Sequence, residues 1–370
     1  MDKQQLLVEL QSKGLQLAEQ TSGAAGRKGG AGPSDHKAIV VDGTTVMVPV
    51  YTGTAAVSPY RLSAAVNSSP VVPSEEVQPT LECHGQAIAS VQFPKQPKFY
   101  GLQTADGIPY WKIALLHSHD VLATTVLQTC MRYNDRATAC QFCAIGQSLA
   151  ADRTIARKTP DQLAEVTEAA VRLDGIKHVV MTTGTPNTPD RGAAYLTECA
   201  RAIKARVDIP IQAQCEPPAD FSWFERMKAA GINSLGMHLE AVTPEVRDRI
   251  MPGKATVSLE TYFEAFAAAV QVFGWGQVST YLLAGLGDSL NALVDTSDRL
   301  IQLGVYPFIV PFVPITGTPL EDTAPPDSEF MYRLYQEVGQ RLKNAGLSSQ
   351  DVEAGCAKCG ACSALSAFET

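Results

Sequence analysis

The sequence has little basic charge. Among its 370 residues, 30 Lys and Arg stand against 38 Asp and Glu, which gives a formal net charge of −8. Because binding to phosphates requires a basic surface, this balance argues against nucleic acid and against an anionic membrane surface as general partners.

Long apolar runs are lacking as well. No uninterrupted apolar stretch is long enough to cross a bilayer. The first residues, Met1-Asp2-Lys3-Gln4-Gln5, lead into a short amphipathic segment and not into the apolar core of a secretory signal. We therefore expect a cytoplasmic protein that does not insert into membranes. A hydrophobic content of 45% and a charged content of 18% are typical of a globular enzyme.

Cysteine, by contrast, is frequent and clustered. Six of the nine cysteines fall into two groups of three, a distribution that scattered core cysteines would not give. Because disulfides are not expected in a reducing cytosol, clustered thiols indicate metal or redox chemistry. The first group is Cys130, Cys140 and Cys143, the second is Cys356, Cys359 and Cys362, and the others are Cys83, Cys199 and Cys215.

From residue 121 onward, a pattern of strand, loop and helix repeats. Apolar strand segments alternate with amphipathic helical segments, which predicts a parallel sheet with helices outside it. Six such units in about 190 residues predict an α/β fold, a partial (β/α)6 TIM-like barrel and not a closed eight-stranded one. The predicted strands cover 121–129, 178–182, 209–214, 234–238, 277–283 and 306–313, and the predicted helices between and after them cover 193–206, 221–230, 244–250, 258–273, 289–303 and 327–345.

The chain is predicted to have three regions. Residues 1–120 form an N-terminal α+β extension, residues 121–325 form the barrel, and residues 326–370 form a C-terminal helix and a cysteine-rich tail. Within the extension we expect a helix at 6–19, a glycine-rich loop at 22–34 and a β-hairpin at 38–48.

The first cysteine group follows the first predicted barrel strand. Barrels of this kind carry chemistry on the loops after the carboxyl ends of their strands. Three thiolates cannot fill four coordination positions, so another group must bind there. The spacing favours a four-iron cluster with one open iron over a tetrahedral zinc site, because Asn134 and Asp135 are poor fourth ligands for structural zinc. Both interpretations stay open from spacing alone.

The loop resembles the cluster-binding loop of the radical S-adenosylmethionine (radical SAM) superfamily, including Phe142 before its last cysteine. The usual spacing is Cys-x3-Cys-x2-Cys, whereas nine residues separate Cys130 from Cys140 here. Four later segments at predicted strand ends resemble parts of biotin synthases, lipoyl synthases and hydrogenase maturases, in family order. These segments are 179–192, 236–253, 278–288 and 310–320. Within the superfamily, the sequence is most similar to the radical SAM proteins encoded with a nitrilase in bacterial gene clusters.

The resemblance implies S-adenosylmethionine (SAM) as a cofactor. In the family, SAM chelates the open iron, and one electron from the reduced 4Fe-4S cluster cleaves it to methionine and a 5′-deoxyadenosyl radical. The implied partners are a small-molecule substrate and an electron donor such as flavodoxin or ferredoxin. Met251 stands where lipoyl synthases carry Arg before Pro-Gly, which weakens any transfer of lipoyl chemistry.

The resemblance also implies residues that bind SAM or substrate. They are Thr183, Gly184, Gln214, Glu216, Glu240, Arg249 and Gly285. For Gln214 and Glu216, a salt-bridged barrel mouth is an equal alternative. For Arg249, a surface position on a helix is the more common case.

The second cysteine group is spaced so that its thiols can converge on one metal site. Alone, it could hold zinc; beside a radical SAM core, an auxiliary iron–sulfur cluster is favoured. Cys83 is the predicted fourth ligand, because the N-terminal extension otherwise lacks a cysteine, with a packed free thiol as the alternative. Such a cluster would donate sulfide, carry electrons or bind substrate.

Other candidate residues and functions stay open at this stage. His117 and His119 precede the first barrel strand and are candidates for acid–base catalysis, with satisfied core histidines as the alternative. Cys199 and Cys215 are interpreted as core or lining residues. The leading hypothesis is a radical SAM enzyme that inserts sulfur into a small organic substrate or rearranges its carbon. An iron–sulfur electron carrier and a zinc-stabilised binding protein are the competing hypotheses.

Overall fold

The computed structural model of the chain describes residues 2–17, 35–63 and 79–369. The predicted glycine-rich loop at 22–34 lies outside the described residues. The helix predicted at 6–19 begins earlier, at Lys3, and ends at Lys13, because Gly14 follows with a φ of +72° and does not continue the helix. The strands are β1 His36–Val41, β2 Thr44–Pro49, β3 Tyr60–Ser63, β4 Thr80–Cys83, β5 Gln86–Gln92, β6 Leu115–His117, β7 Val121–Thr125, β8 His178–Thr182, β9 Ile211–Gln214, β10 Ser234–Gly236, β11 Val278–Ala284 and β12 Val305–Pro311. The helices are α1 Lys3–Lys13, α2 Gly53–Ala56, α3 Tyr110–Ile113, α4 Ile145–Ala150, α5 Pro160–Asp174, α6 Ala193–Arg206, α7 Ser222–Ala229, α8 Pro244–Ile250, α9 Pro252–Ala255, α10 Leu259–Phe273, α11 Leu290–Gln302, α12 Ser328–Ala345 and α13 Cys356–Cys359.

The larger sheet has seven strands in the order β12-β11-β10-β9-β8-β7-β6. The six strands from β7 to β12 are parallel, and β6 pairs with β7 in the antiparallel direction. All residues of β7 and β9 are buried, as expected for strands that are covered on both faces. The predicted partial (β/α)6 barrel is therefore confirmed, and the sheet also takes in a strand from the region that was predicted to be an extension.

The helices cover the outer face of this sheet. Helix α5 begins at a capping box in which Thr159 and Gln162 exchange side-chain-to-backbone hydrogen bonds, and Pro160 occupies its first turn. The predicted helices at 193–206 and 244–250 coincide with α6 and α8. None of the helices in the described ranges combines the length and the apolar character needed to cross a bilayer.

A smaller sheet precedes the barrel, with five strands in the order β2-β1-β5-β4-β3. Strands β1 and β2 form the predicted hairpin, and its turn residues Asp42 and Gly43 both have positive φ, as a type I′ turn requires. The Met47 N–H of β2 donates to the Ala361 carbonyl at 2.7 Å, and the Gln11 side chain of α1 donates to the same oxygen at 3.3 Å. The N-terminal unit therefore packs directly on the cysteine-rich tail.

The tail enters the barrel at the amino ends of its strands. The Gly355 N–H donates to Nδ1 of His178, the first residue of β8, at 3.2 Å. The Cys356 N–H donates to the Gln212 side chain of β9, also at 3.2 Å. The first cysteine group follows the carboxyl end of β7, so the two groups reach the barrel from opposite ends.

Candidate active site inside the barrel

The first cysteine group lies on the loop that follows β7. The Cys143 N–H donates to the Cys140 carbonyl at 3.0 Å, so these two residues share one turn. Burial raises the pKa of the Cys140 thiol, and it raises the pKa of Cys143 to about 11, to which the nearby Cys130 thiol also contributes. The structure therefore brings the three predicted ligands together on one loop, and it keeps the Cys140 and Cys143 thiols protonated until a metal binds.

This donor set fits an iron–sulfur cluster. Within residues 2–17, 35–63 and 79–369, the structure contains no group of three or more His, Cys, Asp and Glu side chains arranged around a single metal ion. A four-iron cluster does not need that arrangement, because each thiolate ligates a different iron and the three sulfurs stand further apart. Cys130, Cys140 and Cys143 are the residues that would hold such a cluster.

A buried lysine supports the strand end before Cys130. The Lys158 ammonium donates to the Gln128 side chain at 3.3 Å and to the Ile155 carbonyl at 3.0 Å. Burial lowers the pKa of Lys158 to about 7. Gln128 in turn donates to the Ile145 carbonyl at 3.1 Å, which connects the strand end to the first residue of α4.

The nine residues between Cys130 and Cys140, which we call the insertion at 131–139, pack across the mouth of the barrel. Arg132 is buried and forms an ion pair with Glu216, which follows β9. The Thr138 carbonyl accepts a hydrogen bond of 3.1 Å from the Gly253 N–H, at the start of α9. Spacing alone does not show whether these residues cover the site or loop out, and the structure shows that they cover the barrel mouth.

Two glycines make this close packing possible. A Cβ atom on Gly184 would lie 2.2 Å from the Thr129 carbonyl oxygen, and one on Gly253 would lie 2.4 Å from the Thr138 carbonyl oxygen. A residue with a side chain could not make either contact, so glycine is required at positions 184 and 253. Gly184 thus has a packing role in the structure, and its predicted role in SAM binding stays a prediction.

Gln214 and Glu216, which the sequence grouped together, face different neighbours. One oxygen of Glu216, Oε1, accepts hydrogen bonds from Arg132 and, at 2.7 Å, from the Thr185 hydroxyl. Its other oxygen, Oε2, is buried and has no hydrogen-bond partner among the described residues. Gln214 instead donates to the Cys356 sulfur of the tail at 3.2 Å. The barrel mouth is salt-bridged, as the alternative interpretation held, and Glu216 still presents an open acceptor.

Glu240 stands beside the first cysteine group in a constrained backbone conformation. Its φ of +67° is in the left-handed region, which residues other than glycine seldom adopt outside special sites. Hydrogen bonds of 2.8 Å to Tyr281 and from Leu283 hold its backbone against β11. Its carboxylate accepts from Lys254 at 2.8 Å. Burial by itself would lower the pKa of Lys254, but the Glu240 charge raises it above its ordinary value, so Lys254 stays protonated beside this carboxylate.

Arg249 connects two loops at the carboxyl ends of the strands. Its guanidinium donates to the Leu286 carbonyl after β11 at 2.8 Å. Its own carbonyl accepts from the side chain of Gln141, which lies between two of the cysteine ligands, at 2.6 Å. The structure therefore shows Arg249 positioning the cysteine loop, and its pairing with a carboxylate of SAM or substrate stays a prediction.

The other two predicted SAM-binding residues also lie at strand ends. Thr183 follows β8, and its hydroxyl donates to the Gly184 carbonyl at 2.8 Å. Gly285 follows β11 with a φ of +105°, and a Cβ atom on it would lie 2.7 Å from the Pro326 ring. The structure thus gives both residues the predicted location, and their contact with SAM stays a prediction.

A cavity of about 1090 Å³, including its open mouth, lies between the two cysteine groups. Phe142 of the first loop and Glu240 line it at one end, and Cys362 of the tail lines it at the other. Met47 of the smaller sheet also lines the cavity. A molecule bound in this cavity would therefore be in reach of both cysteine groups.

The polar side chains along this cavity are mostly uncharged. Burial lowers the pKa of His238 to about 3, and burial raises the pKa of Tyr281 well above its ordinary value. The His238 ring accepts from the Tyr281 N–H at 3.2 Å and stands edge-on to the Tyr281 ring, with 4.6 Å between the ring centroids. Both side chains are therefore neutral at physiological pH.

The three tail cysteines surround Tyr281. Burial is the largest cause of the raised pKa of Tyr281, and the three cysteines are smaller causes. Burial also raises the pKa of Cys359 to about 12. The Cys362 sulfur lies 3.5 Å from Nε2 of His117. The structure therefore gathers the second predicted cysteine group at one place in the barrel and adds a histidine to it.

The remaining predicted residues lie elsewhere. Cys83 ends β4 and interacts with the Tyr60 hydroxyl within the smaller sheet, so its role as a metal ligand stays a prediction. The His119 side chain is 62% exposed and contacts Asp120, in contrast to the buried His117. Catalysis by either histidine is likewise untested. The two cysteines interpreted as core or lining residues, Cys199 and Cys215, are buried.

Several charged and polar residues of the site carried no signal of their own in the sequence. Arg132 lies within the insertion that departs from the family spacing, and its partner Glu216 is 84 residues away. Lys254 follows the Pro-Gly pair, and its partner Glu240 could have been inferred only from the fold. His238 is in a segment that resembles the family, and its burial could have been predicted because it continues a strand.

Comparison with known proteins points to the superfamily that the sequence motifs resemble. Residues 134–300 match the model of the Radical SAM superfamily. The bacteriochlorophyllide c C-7(1)-hydroxylase of Chlorobaculum limnaeum is 27% identical over 274 residues, which cover 69% of this chain and 67% of that protein. A lipoyl synthase of Marinobacter nauticus is 28% identical over 174 residues, which cover 45% of this chain and 47% of that protein.

Solved structures with a related arrangement are more distant. Methylornithine synthase is 19% identical, with a TM-score of 0.47 over 63% of this chain and 66% of that chain. The FeFe-hydrogenase maturase HydG from Carboxydothermus hydrogenoformans is 17% identical, with a TM-score of 0.44 over 60% of this chain and 50% of that chain. The chain thus spans about half to two thirds of the length of the relatives compared.

Proposed function

We propose that the chain is a radical SAM enzyme, which cleaves SAM reductively and directs the resulting radical at a small organic substrate. The match of residues 134–300 to the Radical SAM superfamily model and the likeness to two enzymes support this proposal. The observation that carries this proposal is the placement of three cysteines on one loop beside a cavity. That loop follows the carboxyl end of a parallel strand, which is where barrels of this kind carry their chemistry.

Cys130, Cys140 and Cys143 would hold the 4Fe-4S cluster that the family implies. When bound, this cluster supplies one electron that converts SAM to methionine and a 5′-deoxyadenosyl radical, which then takes a hydrogen atom from the substrate. The electron would come from a reductant of the flavodoxin or ferredoxin class. Thiol-rich, oxygen-sensitive sites of this kind favour the cytoplasm.

Side chains of the barrel mouth would bind and orient SAM. The unpartnered Oε2 of Glu216 can accept a hydrogen bond from an ammonium group. In the Glu240–Lys254 pair, Glu240 can accept from a ribose hydroxyl and Lys254 can donate to a carboxylate. Thr183, Gly184, Arg249 and Gly285 are the other proposed contacts. The insertion at 131–139, held by Arg132, would exclude water from this end of the cavity.

The cavity indicates the class of substrate. Among the described residues that line it, none is a lysine or an arginine, and His238 and Tyr281 are neutral. We propose a substrate without a phosphate group, with an apolar body and few hydrogen-bonding groups. Its far end would meet the tail cysteines, which we propose hold an auxiliary iron–sulfur cluster. Sulfur insertion and carbon rearrangement are both compatible with that arrangement.

The proposal is tested by reducing the reconstituted protein under anaerobic conditions with SAM present. We expect a brown protein, 5′-deoxyadenosine and methionine in equal amounts, and an EPR signal of the reduced cluster that changes when SAM is added. A brown protein that yields no 5′-deoxyadenosine, and whose EPR signal does not change when SAM is added, would indicate an electron carrier. A colourless protein that contains zinc would contradict both cluster assignments.

A further inference from the structure

His117 contacts Cys362 of the tail directly, and the proposed SAM chemistry does not use it. It ends β6, the edge strand of the larger sheet, and its side chain is 8% exposed. Its Nε2 lies 3.5 Å from the Cys362 sulfur, although the two residues are 245 positions apart. Two soft or borderline metal ligands are thus brought together by the fold and not by local sequence.

We propose that His117 supplies the fourth protein ligand of the auxiliary iron–sulfur cluster, and that its Nε2 and the Cys362 sulfur bind the same iron. This assignment rests on the proposed function, since it presupposes a cluster at the tail. It replaces Cys83 as the fourth ligand.

The distance between the two atoms supports a shared metal. A tetrahedral metal with a thiolate at about 2.3 Å and an imidazole nitrogen at about 2.0 Å places these ligand atoms about 3.5 Å apart. The observed separation is also 3.5 Å. In a four-iron cluster each iron takes one protein ligand, whereas in a two-iron cluster each iron takes two. The contact therefore favours a two-iron cluster.

The other two thiols are suited to the second iron. Cys356 and Cys359 are the first and last residues of α13, three positions apart, and residues at that spacing face the same side of a helical turn. Gln214 donates to the Cys356 sulfur at 3.2 Å, and Tyr281 forms a further hydrogen bond to it. Such donors orient a ligand and stabilise the charge of a thiolate.

The position of Cys83 does not offer the same contact. Cys83 is in β4 of the smaller sheet, where it lies opposite Tyr60 of β3 and Gln86 of β5. Its sulfur interacts with the Tyr60 hydroxyl. His117 is on the larger sheet, whose edge strand pairs with β7. Cys362 also lines the central cavity, so an iron shared by Cys362 and His117 would face the bound substrate.

The test uses full-length protein in which Cys130, Cys140 and Cys143 are replaced by Ala, so that only the tail cluster is observed. After reconstitution we expect about two iron atoms per chain. Labelling the histidines with 15N should give a nitrogen hyperfine coupling in pulsed EPR of the reduced cluster. This measurement needs no substitution of His117 and therefore does not depend on the folding of a variant.

Substitutions then identify the histidine. His117→Ala should abolish the nitrogen coupling and reduce the iron content, whereas His119→Ala, two residues away and exposed, should leave the spectrum unchanged. His117→Cys should restore the iron and lower the reduction potential, because replacing thiolate by imidazole raises it.

Each other outcome decides the question as well. If iron is bound but the coupling is absent, or persists in His117→Ala, the assignment of His117 is wrong while the auxiliary cluster stands. If Cys83→Ala removes the iron and His117→Ala does not, Cys83 is the ligand. If the background protein binds no iron, or binds zinc, the auxiliary cluster of the proposed function fails together with this assignment.

Discussion

The two cysteine groups have the same number of thiols but are supported in different ways. The first lies on a loop at the carboxyl ends of the strands, beside the ion pairs Arg132–Glu216 and Lys254–Glu240. The second enters from the amino ends and is anchored by neutral side chains, among them those of His178 and Gln212. Charged surroundings suit a molecule such as SAM, which carries a sulfonium, an ammonium and a carboxylate, and neutral ones suit a cluster that faces a neutral substrate.

The largest expected effect separates the functions of the two groups. Replacing Cys130, Cys140 and Cys143 by Ala should lower the rate of 5′-deoxyadenosine formation by at least about 1000-fold, because the open iron is lost. Replacing Cys356, Cys359 and Cys362 by Ala should leave this rate within about threefold of the original. The rates are measured by chromatography after reduction with SAM.

Iron counting provides the control for that experiment. Each triple variant should keep the iron of the other group, so that the iron contents of the two variants add to that of the unchanged protein. If either triple variant loses all its iron, the two groups are not independent sites, and the comparison between them fails.

The second prediction concerns the charged support of the first group. Arg132→Met leaves the Glu216 carboxylate buried without its partner, and breaking a buried ion pair from one side costs about 3–5 kcal/mol. Urea unfolding should show this loss of stability, together with loss of iron from the first group. Arg136→Met, in the same insertion but exposed, is the matched control and should change the stability by less than about 0.5 kcal/mol.

The third prediction compares the close backbone contacts of the two groups. In Gly184→Ala the new Cβ would meet the Thr129 carbonyl, and in Gly355→Ala it would lie 2.2 Å from the Gln212 side chain, at a backbone with a φ of +113°. Overpacking of this kind costs about 1–3 kcal/mol.

We expect Gly184→Ala to reduce SAM cleavage and to spare the tail iron. Gly355→Ala should have the opposite pattern. Iron content and 5′-deoxyadenosine formation, measured on both variants, test this. Equal loss of both clusters in either variant would show that the contacts at Gly184 and at Gly355 are coupled through the barrel.

The fourth and smallest effects are pH dependences, which fall in separate windows. The pKa of Lys158, near the first group, is lowered from 10.5 to about 7 by burial. Between these values the unfolded chain keeps a proton on Lys158 that the folded chain has lost, so the contribution of Lys158 to stability rises with pH from about pH 7. The pKa of His178, near the second group, is lowered from 6.5 to about 4, so stability falls as the pH falls from 6.5 to 4.

In each window, the free energy of unfolding changes by at most about 1.4 kcal/mol per pH unit for a single titrating group. Urea unfolding of the iron-free protein at several pH values measures both windows. Lys158→Met should flatten the alkaline window alone, and His178→Gln should flatten the acidic window alone. A slope that survives its own substitution would assign that window to another group.

Much of the barrel was predictable because its signals are local. The alternation of apolar strands with amphipathic helices predicted the partial barrel, and two predicted helices, at 193–206 and 244–250, have the observed bounds. The edge strand β6 was assigned to the extension, because three residues are too few to give a periodic pattern. The insertion at 131–139 was ambiguous, since its anchor, Glu216, is distant in the chain.

The sequence by itself determined that the chain has two groups of three cysteines, and that one of them follows a barrel strand. Those facts depend on the order and type of residues and on local periodicity. Only the tertiary structure decided that the groups face one cavity from opposite ends, that Arg132 seals the mouth, and that His117 contacts Cys362. These are contacts between residues far apart in the chain, and they exist because parallel strands bring distant segments to the same end of a sheet.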